Sequence, residues 1–375
     1  MASIQKMKNG WRYRVSYKEN GKYKTKTKGG FRTKKEAELA AAELEKKLHI
    51  GYDINAGDQL FTEYMRNWYE VFRKGKKSQD NDNDIRRAVE FAEKYFEGIK
   101  LKELTREMYQ KALNDYGETH STASVKKHHT YLRACIQEAL NDGIIFRDPT
   151  FKIVAKGKVD PKNEEIKYLN YDEVKKLIKE VQDGLKFRYI SRYIILFGLA
   201  TGARFSEILG VTWDCVDFEN KTVTINKTWD YKYKNDFDNT KNYASVRTIT
   251  IDSETISILR DLKKQQMKTA LQTGLRNEKN LVFVNKTFQV VSNNAVNKTL
   301  RQLCQKADIK EITCHALRHT HASMLLYKGV NIKYISRRLG HTDIVTTLQT
   351  YSHILDELEQ KGSREVDEMM VELYG

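Results

Sequence analysis

The 375-residue sequence predicts a mainly α-helical chain with small β parts, an α+β fold in three regions, 1–52, 58–150 and 165–375. Three observations predict it. Alternating aromatic and basic residues flank an Asn-Gly pair near the start. Helix-spaced apolar residues fill 60–146. Strand-like and helical runs mix after Tyr168. The length suits two or three domains, and 40% hydrophobic residues suffice for their cores. No apolar run of membrane-spanning length occurs, and the first residues lack the apolar segment of a signal peptide. Four scattered cysteines fit a reduced, cytoplasmic protein.

The first region predicts a three-stranded sheet with a helix. Runs Trp11–Lys18 and Lys22–Lys28 flank Asn20-Gly21, a pair that tolerates the positive φ of a tight hairpin. Alternation sends Trp11, Tyr13, Val15 and Tyr17 to one face, and Arg12, Arg14 and Lys18 to the other. Lys22, Lys24, Lys26 and Lys28 are expected to join that second, basic face. A helix follows, capped by Thr33 with Glu36 three residues on. Its Ala37, Ala40, Ala41, Leu44 and Leu48 are expected to cover the aromatic face.

Charge reinforces this reading. The chain carries 66 Lys and Arg against 50 Asp and Glu, a net of +16, and residues 1–50 alone hold 14 against 5. Such an excess attracts a polyanion by releasing its counterions, and a basic β-ribbon fits a DNA major groove. The bland alternative is a solvated charged face.

In the second region, helices are expected near 60–74, 80–96, 105–116 and 121–142, with Thr105 and Ser121 at two of the starts. Lys126, Lys127, His128, His129 and Arg133 form a basic stretch, either contacting phosphates or solvated. Residues 51–59 read as a linker, as do the lysine-rich residues 152–167. In the third region, helices are expected near 171–182, 187–200, 253–269 and 292–306. Strands are expected at Thr222–Asn226, Val246–Ile251 and Leu281–Val284, and a helical series from His315.

Five segments there carry chemistry. They are Thr201-Gly202-Ala203-Arg204-Phe205-Ser206-Glu207, Thr240-Lys241 before Ser245-Val246-Arg247, His315-Ala316-Leu317-Arg318-His319-Thr320, Leu339-Gly340-His341, and Thr350-Tyr351-Ser352-His353. Metal-free cleavage of a phosphodiester needs fixed cations against the charge that develops on the phosphoryl oxygens. Arg204 and Arg318 suit this, since a guanidinium grips two oxygens and stays charged. Tyr351 would be the nucleophile and His315, one helical turn before Arg318, its base. Lys241, on an expected hairpin tip, would protonate the departing oxygen. His341 would add a hydrogen bond to the phosphate. Gly202 allows a tight turn before Arg204, Gly340 ends a helix, and Thr342 is expected to cap the next. His319 and His321 read as packing or surface residues. A zinc site from Cys304, Cys314, His315, His319 and His321 lacks the spacing of a tetrahedral finger. Singly, each of these residues has an ordinary structural reading. Together and in this order they are hard to explain otherwise.

The ordered set Arg204, Lys241, His315-x-x-Arg318, His341, Tyr351 resembles the tyrosine recombinase family, in its phage-integrase branch. The likeness spans roughly 165–360. The first two regions are similar in architecture and charge to the arm-binding and core-binding domains of lambda-like integrases. The resemblance implies a site-specific recombinase in which Tyr351 forms a 3′-phosphotyrosyl link to DNA, with no metal, ATP or other cofactor. It implies double-stranded DNA partners at core and arm sites and a homotetramer on DNA. An excision factor or a host DNA-bending protein is a further partner. Arg12, Arg14, Lys22, Lys24, Lys26, Lys28, Lys126 and Lys127 are the expected DNA contacts outside the catalytic region. The rivals are a type IB topoisomerase, which the basic first region disfavours, and a non-catalytic DNA-binding regulator. Residues 352–375 hold seven acidic and two basic residues, a net of −5. Val366, Met369, Met370 and Leu373 have helical spacing there, for packing on the same domain or on a neighbouring protomer.

Overall fold

A computed structural model describes residues 2–19, 22–49, 56–159, 168–240, 243–352, 354 and 370–374. The chain forms two compact units, Met1–Pro161 and Lys162–Gly375.

The first unit opens with the expected antiparallel sheet, β1 (Ser3–Met7), β2 (Gly10–Glu19) and β3 (Lys22–Phe31), followed by α1 (Lys34–His49). The Asn20-Gly21 turn lies outside the described residues, but Glu19 pairs with Lys22, as a two-residue loop requires. Thr33 Oγ1 accepts from the Glu36 amide, and the Glu36 carboxylate accepts from the Arg32 amide. Tyr13, Val15 and Ala41 form a small core, with Ile4, Phe31, Ala40, Leu44 and Leu48 against it.

The register corrects one expectation. Tyr13 pairs with Lys28, Val15 with Lys26 and Tyr17 with Lys24. Directly opposed residues share a face. The β3 lysines therefore stand on the aromatic side of the sheet, not with Arg12 and Arg14. Alternation holds along β2 and from Lys22 to Lys28 of β3, where the register shifts before Phe31 pairs with Trp11, but only the pairing across the turn sets which faces match. The sheet thus carries cationic residues on both sides.

Helices α2 (Phe61–Trp68), α3 (Gln79–Tyr95), α4 (Arg106–Gly117) and α5 (Thr122–Asn141) fall where periodicity puts them. A π-turn, Tyr69–Arg73, extends α2. Thr105 and Ser121 cap α4 and α5, accepting from the amides of Met108 and Ser124. Phe61, Met65, Trp68, Ile85, Phe96, Tyr109 and Leu132 are buried in one core. Each such side chain contributes about 1.5–3 kcal/mol.

Two further expectations are corrected here. His128 and His129 turn inward rather than joining a basic surface. His128 stacks on Phe91 and bonds the Tyr116 hydroxyl at 3.1 Å, and His129 bonds the Tyr109 hydroxyl at 3.0 Å. Burial lowers both pKa values. Second, the linker expected from 152 is packed chain as far as 159. Ile153 and Ala155 lie against the helical core, Val154 exchanges hydrogen bonds with Gln110, and the Lys158 amide bonds Gly117 O. Gly157 is required at this contact, because a Cβ there would sit 2.1 Å from His120 O. Residues 160–167 lie outside the described chain.

The second unit contains α6 (Tyr171–Gln182), α7 (Ile190–Thr201), α8 (Phe205–Leu209), β4 (Val216–Asp217), β5 (Thr222–Ile225), β6 (Thr228–Asp230), β7 (Asp236–Asp238), β8 (Arg247–Thr250), α9 (Ser253–Thr273), α10 (Asn293–Lys306), α11 (Cys314–Tyr327), α12 (Ile332–Leu339) and α13 (Ile344–Thr350). β4, β5 and β8 form one antiparallel sheet, and β6–β7 is a separate hairpin. The nearly all-apolar α7 (Ile194, Ile195, Phe197, Leu199) is buried in the main core. Leu281–Val284 is not a strand. It is buried, bends at Val282 and Phe283, and makes a single bridge from Leu281 to Thr212, while the Gln266 side-chain amide donates to the Val282 carbonyl. A short apolar run buried on all sides carries no periodicity to tell strand from loop.

Candidate active site

Five helices and one strand deliver the polar residues. Helix α7 ends at Gly202, whose φ of +67° is the left-handed conformation glycine adopts freely. A Cβ there would sit 2.7 Å from the His321 ring and 2.8 Å from Leu339. The chain then reverses and Arg204 stands at the N-cap of α8. Its amide bonds Glu207 Oε2 at 2.9 Å and its Nη1 meets Glu207 Oε1 at 2.7 Å.

Glu207 is buried and holds a second guanidinium, that of Arg247 on β8, at 2.9 Å. Burial works to raise its pKa, but Arg247 and Arg204 outweigh it and hold the carboxylate below its usual range. Arg247 also donates to Arg338 O and Ser245 O. Gly340 (φ +71°) packs against it, since a Cβ at 340 would sit 2.8 Å from Arg247 Nη1.

Arg318, on α11, is 4% exposed. Nη1 donates to Gly202 O at 2.9 Å, while Nη2 is buried without a hydrogen-bond partner. Burial, and next the Arg204 charge, push its pKa down to about 9, so it stays cationic at neutral pH. An enclosed cation with an unused donor beside a second arginine is the chemistry that receives an oxyanion.

His341 follows Gly340 at the α12–α13 junction and bonds Thr347 Oγ1 at 2.7 Å through Nδ1. Burial, then Arg318, Arg204 and Arg247, push it down to about 4. It is therefore neutral at pH 7, among the cations expected around it. Asp343, not Thr342, caps α13, its carboxylate accepting from the Val345 amide at 3.0 Å. With Asp343 as the cap, α13 starts one residue later than a Thr342 cap would place it.

Tyr351 ends α13 and is buried with Ala322, Leu326, Ile335, Leu339 and Ile354. Burial pushes its phenol up to about 12, with Arg318 working against the rise. Its hydroxyl lies 3.2 Å from His319 Nδ1. His315 is exposed one turn earlier, its ring edge-on to His319 with centroids 4.9 Å apart.

Lys241 lies outside the described residues. The expected hairpin tip is in fact the β6–β7 turn, which carries Lys232 and Lys234, with Lys234 paired to Asp238 at 3.2 Å. Position 241 falls after β7, on the connection to β8. Of the expected DNA contacts elsewhere, Arg14, Lys24, Lys28 and Lys126 are exposed, and Lys26 is half-buried. Arg12 bonds Gln5 at 3.0 Å, and Lys127 pairs with Asp84 at 3.0 Å. Of Lys22 only the backbone is described.

Sequence reasoning missed a buried strut. Arg338 on α12 reaches His321 Nε2, Thr250 O and Ala200 O at 2.9–3.0 Å, tying α12 to α11, β8 and the end of α7. His321 Nδ1 bonds Leu199 O at 2.7 Å. Burial, then Arg338, push His321 down to about 3. His321 and His341 are thus neutral when folded and titrate near 6.5 when unfolded. Below 6.5 the unfolded chain binds the extra protons, so stability is present above that pH and is lost as pH falls toward 4. Thermal unfolding between pH 7.5 and 4.5 is expected to show a falling midpoint, which His341→Gln makes shallower.

A basic sheet-and-helix module, and a unit gathering two arginines, histidines and a tyrosine, define a protein that holds DNA and handles a phosphodiester. The Phage integrase family pattern matches residues 167–357, and the Arm DNA-binding domain pattern matches 3–48. The chain belongs to the phage integrase family and is a tyrosine recombinase, a site-specific integrase. It is 28% identical to a tyrosine recombinase XerC-like protein of Caldanaerobacter subterraneus subsp. tengcongensis, covering 97% of this chain and 98% of that one. Among solved structures it is similar to the Tn1549 transposon integrase in complex with transposon right end DNA. That likeness has a TM-score of 0.67 at 19% identity, over 82% of this chain and 99% of that one. It is also similar to the lambda integrase in a tetramer bound to a Holliday junction. There the TM-score is 0.58 at 16% identity, over 91% and 95%. Among the described residues, no helix is long and apolar enough to cross a membrane.

Proposed function

We propose that Tyr351 attacks a DNA phosphate held by Arg204 and Arg318, forming a 3′-phosphotyrosyl link and freeing a 5′ hydroxyl. A 5′ hydroxyl from a second duplex then attacks that link and restores a phosphodiester. Each step exchanges one phosphoester for another, so no external energy source is required. His341 donates a hydrogen bond to the phosphate, His315 stands at its edge as an acid–base group, and Lys241 protonates the departing 5′ oxygen. The observation that carries this reading is the buried Arg318, whose Nη2 has no partner, beside Arg204 and within electrostatic reach of Tyr351.

The division of labour follows the three regions. Residues 1–52 bind an arm site, 58–150 a core site, and 165–375 carry out the chemistry. Binding two sites through one chain gains from tethering. The working assembly is a tetramer on two DNA sites, an arrangement in keeping with the lambda integrase tetramer on a Holliday junction. The acidic tail, largely outside the described residues, assists assembly from within the protomer or from a neighbour.

The test uses supercoiled DNA carrying an attachment site, with EDTA and without ATP, stopped by denaturant. The expected products are joined recombinants and protein linked to a 3′ DNA end, with Tyr351 as the modified residue in peptide mapping. Tight binding to a verified site with no adduct would overturn the reading in favour of a non-catalytic DNA-binding regulator. Adducts with relaxation but no joined product would favour a topoisomerase.

A further inference from the structure

We propose that His319, rather than His315, is the group that takes the proton from Tyr351 during cleavage. This rests on the reading of Tyr351 as the nucleophile.

The phenol oxygen lies 3.2 Å from His319 Nδ1, with ring centroids 5.7 Å apart and planes inclined at 59°. A neutral imidazole that accepts at Nδ1 carries its proton on Nε2. The contact is enforced by the fold. Helix α11 fixes His319 one residue after the buried Arg318, and the apolar core around Leu326, Ile335 and Leu339 fixes the Tyr351 ring. His315, four residues earlier, meets the edge of the His319 ring. His315 is exposed, and so is accessible to DNA at the phosphate.

The chemistry balances. As the bond from Tyr351 Oη to phosphorus forms, the phosphorus–O5′ bond breaks. The phenol proton passes to His319 Nδ1, and the 5′ oxygen leaves as a hydroxyl with a proton from Lys241. Transfer from a phenol pushed up to about 12 to an imidazole is uphill before attack. It becomes favourable as the oxygen gives its electrons to phosphorus, the usual condition for general-base catalysis. Rejoining runs the proton back along the same contact.

Two substitutions separate proton acceptance from positioning. His319→Asn puts an amide oxygen where Nδ1 stands, so it accepts the hydrogen bond but takes no proton, and His319→Ala does neither. Adduct formation is measured under single turnover from pH 5.5 to 9. One substrate carries a normal scissile phosphate. The other carries a 5′-bridging sulfur, which departs without a proton. Both variants are expected to bind DNA like the wild type, and to form adduct about a hundredfold more slowly or worse on both substrates. Their rates should climb with pH as phenolate forms without help. Wild-type rates in His319→Asn would reduce His319 to a positioning residue and overturn the proposal. Rescue by the sulfur substrate would move its action to the leaving group and also overturn it. Faster adduct formation in His319→Ala would make the contact a latch, and overturn it too. No adduct in the wild type would sink the recombinase chemistry and this assignment together.

Discussion

Tyr351→Phe is expected to bind attachment-site DNA at the wild-type level and to form no covalent adduct at any pH or time. The substitution removes one oxygen and leaves the ring, which packs among Ala322, Leu326, Ile335, Leu339 and Ile354. The lost hydrogen bond to His319 is worth about 0.5–1.5 kcal/mol. The thermal midpoint should therefore move by only a few degrees, while the reaction loses its nucleophile. Gel shift reads binding, and a denaturing gel with labelled DNA reads the adduct. A Tyr351→Phe protein that still forms adduct at the wild-type rate would place the nucleophile on another side chain.

Glu207→Ala is the second large effect, and it strikes stability and activity together. The carboxylate lies at 2% side-chain exposure between Arg204 and Arg247. Removing it leaves the nearly buried Arg247 with its charge unanswered. Breaking a buried pair in this way costs about 3–5 kcal/mol. In a unit of this size that lowers the thermal midpoint by roughly 10 °C. Arg204 also loses the contact that sets its direction, so adduct formation should drop about a hundredfold even at temperatures where the protein is folded. Scanning calorimetry and single-turnover cleavage at low temperature separate the two. Glu207→Gln is expected to retain more stability than Glu207→Ala, since it keeps the shape and one acceptor. A thermal midpoint unchanged in Glu207→Ala would show that the network does not hold the site.

The candidate site was legible because its chemistry demands polar residues where packing alone would not put them. Arg204 after a left-handed glycine, Arg318 one turn beyond His315, and His341 after Gly340 could be read from order and spacing. Helix ends such as Thr105 and Ser121 were legible because capping is local. What stayed hidden depends on contacts between distant segments. The side of the sheet taken by Lys24, Lys26 and Lys28 follows from pairing across a turn. The strut of Arg338 and His321 joins residues 17 apart to a backbone carbonyl 138 positions away. His319 reads as a packing residue in sequence because nothing local says that α13 brings Tyr351 back to it. His128 and His129 did leave a signal. They share the helical face of Val125, Leu132 and Ile136, and that periodicity outweighed their charge.

Arg318 also shows how folding and function are set against each other. A buried donor with no partner costs about 1–3 kcal/mol in the folded protein. A methionine in its place would fill similar volume with no such deficit, and the catalytic unit would melt at a higher temperature. The resting protein is thus less robust than its core alone would make it. Under the proposed mechanism, the partner that would answer this donor is a DNA phosphate.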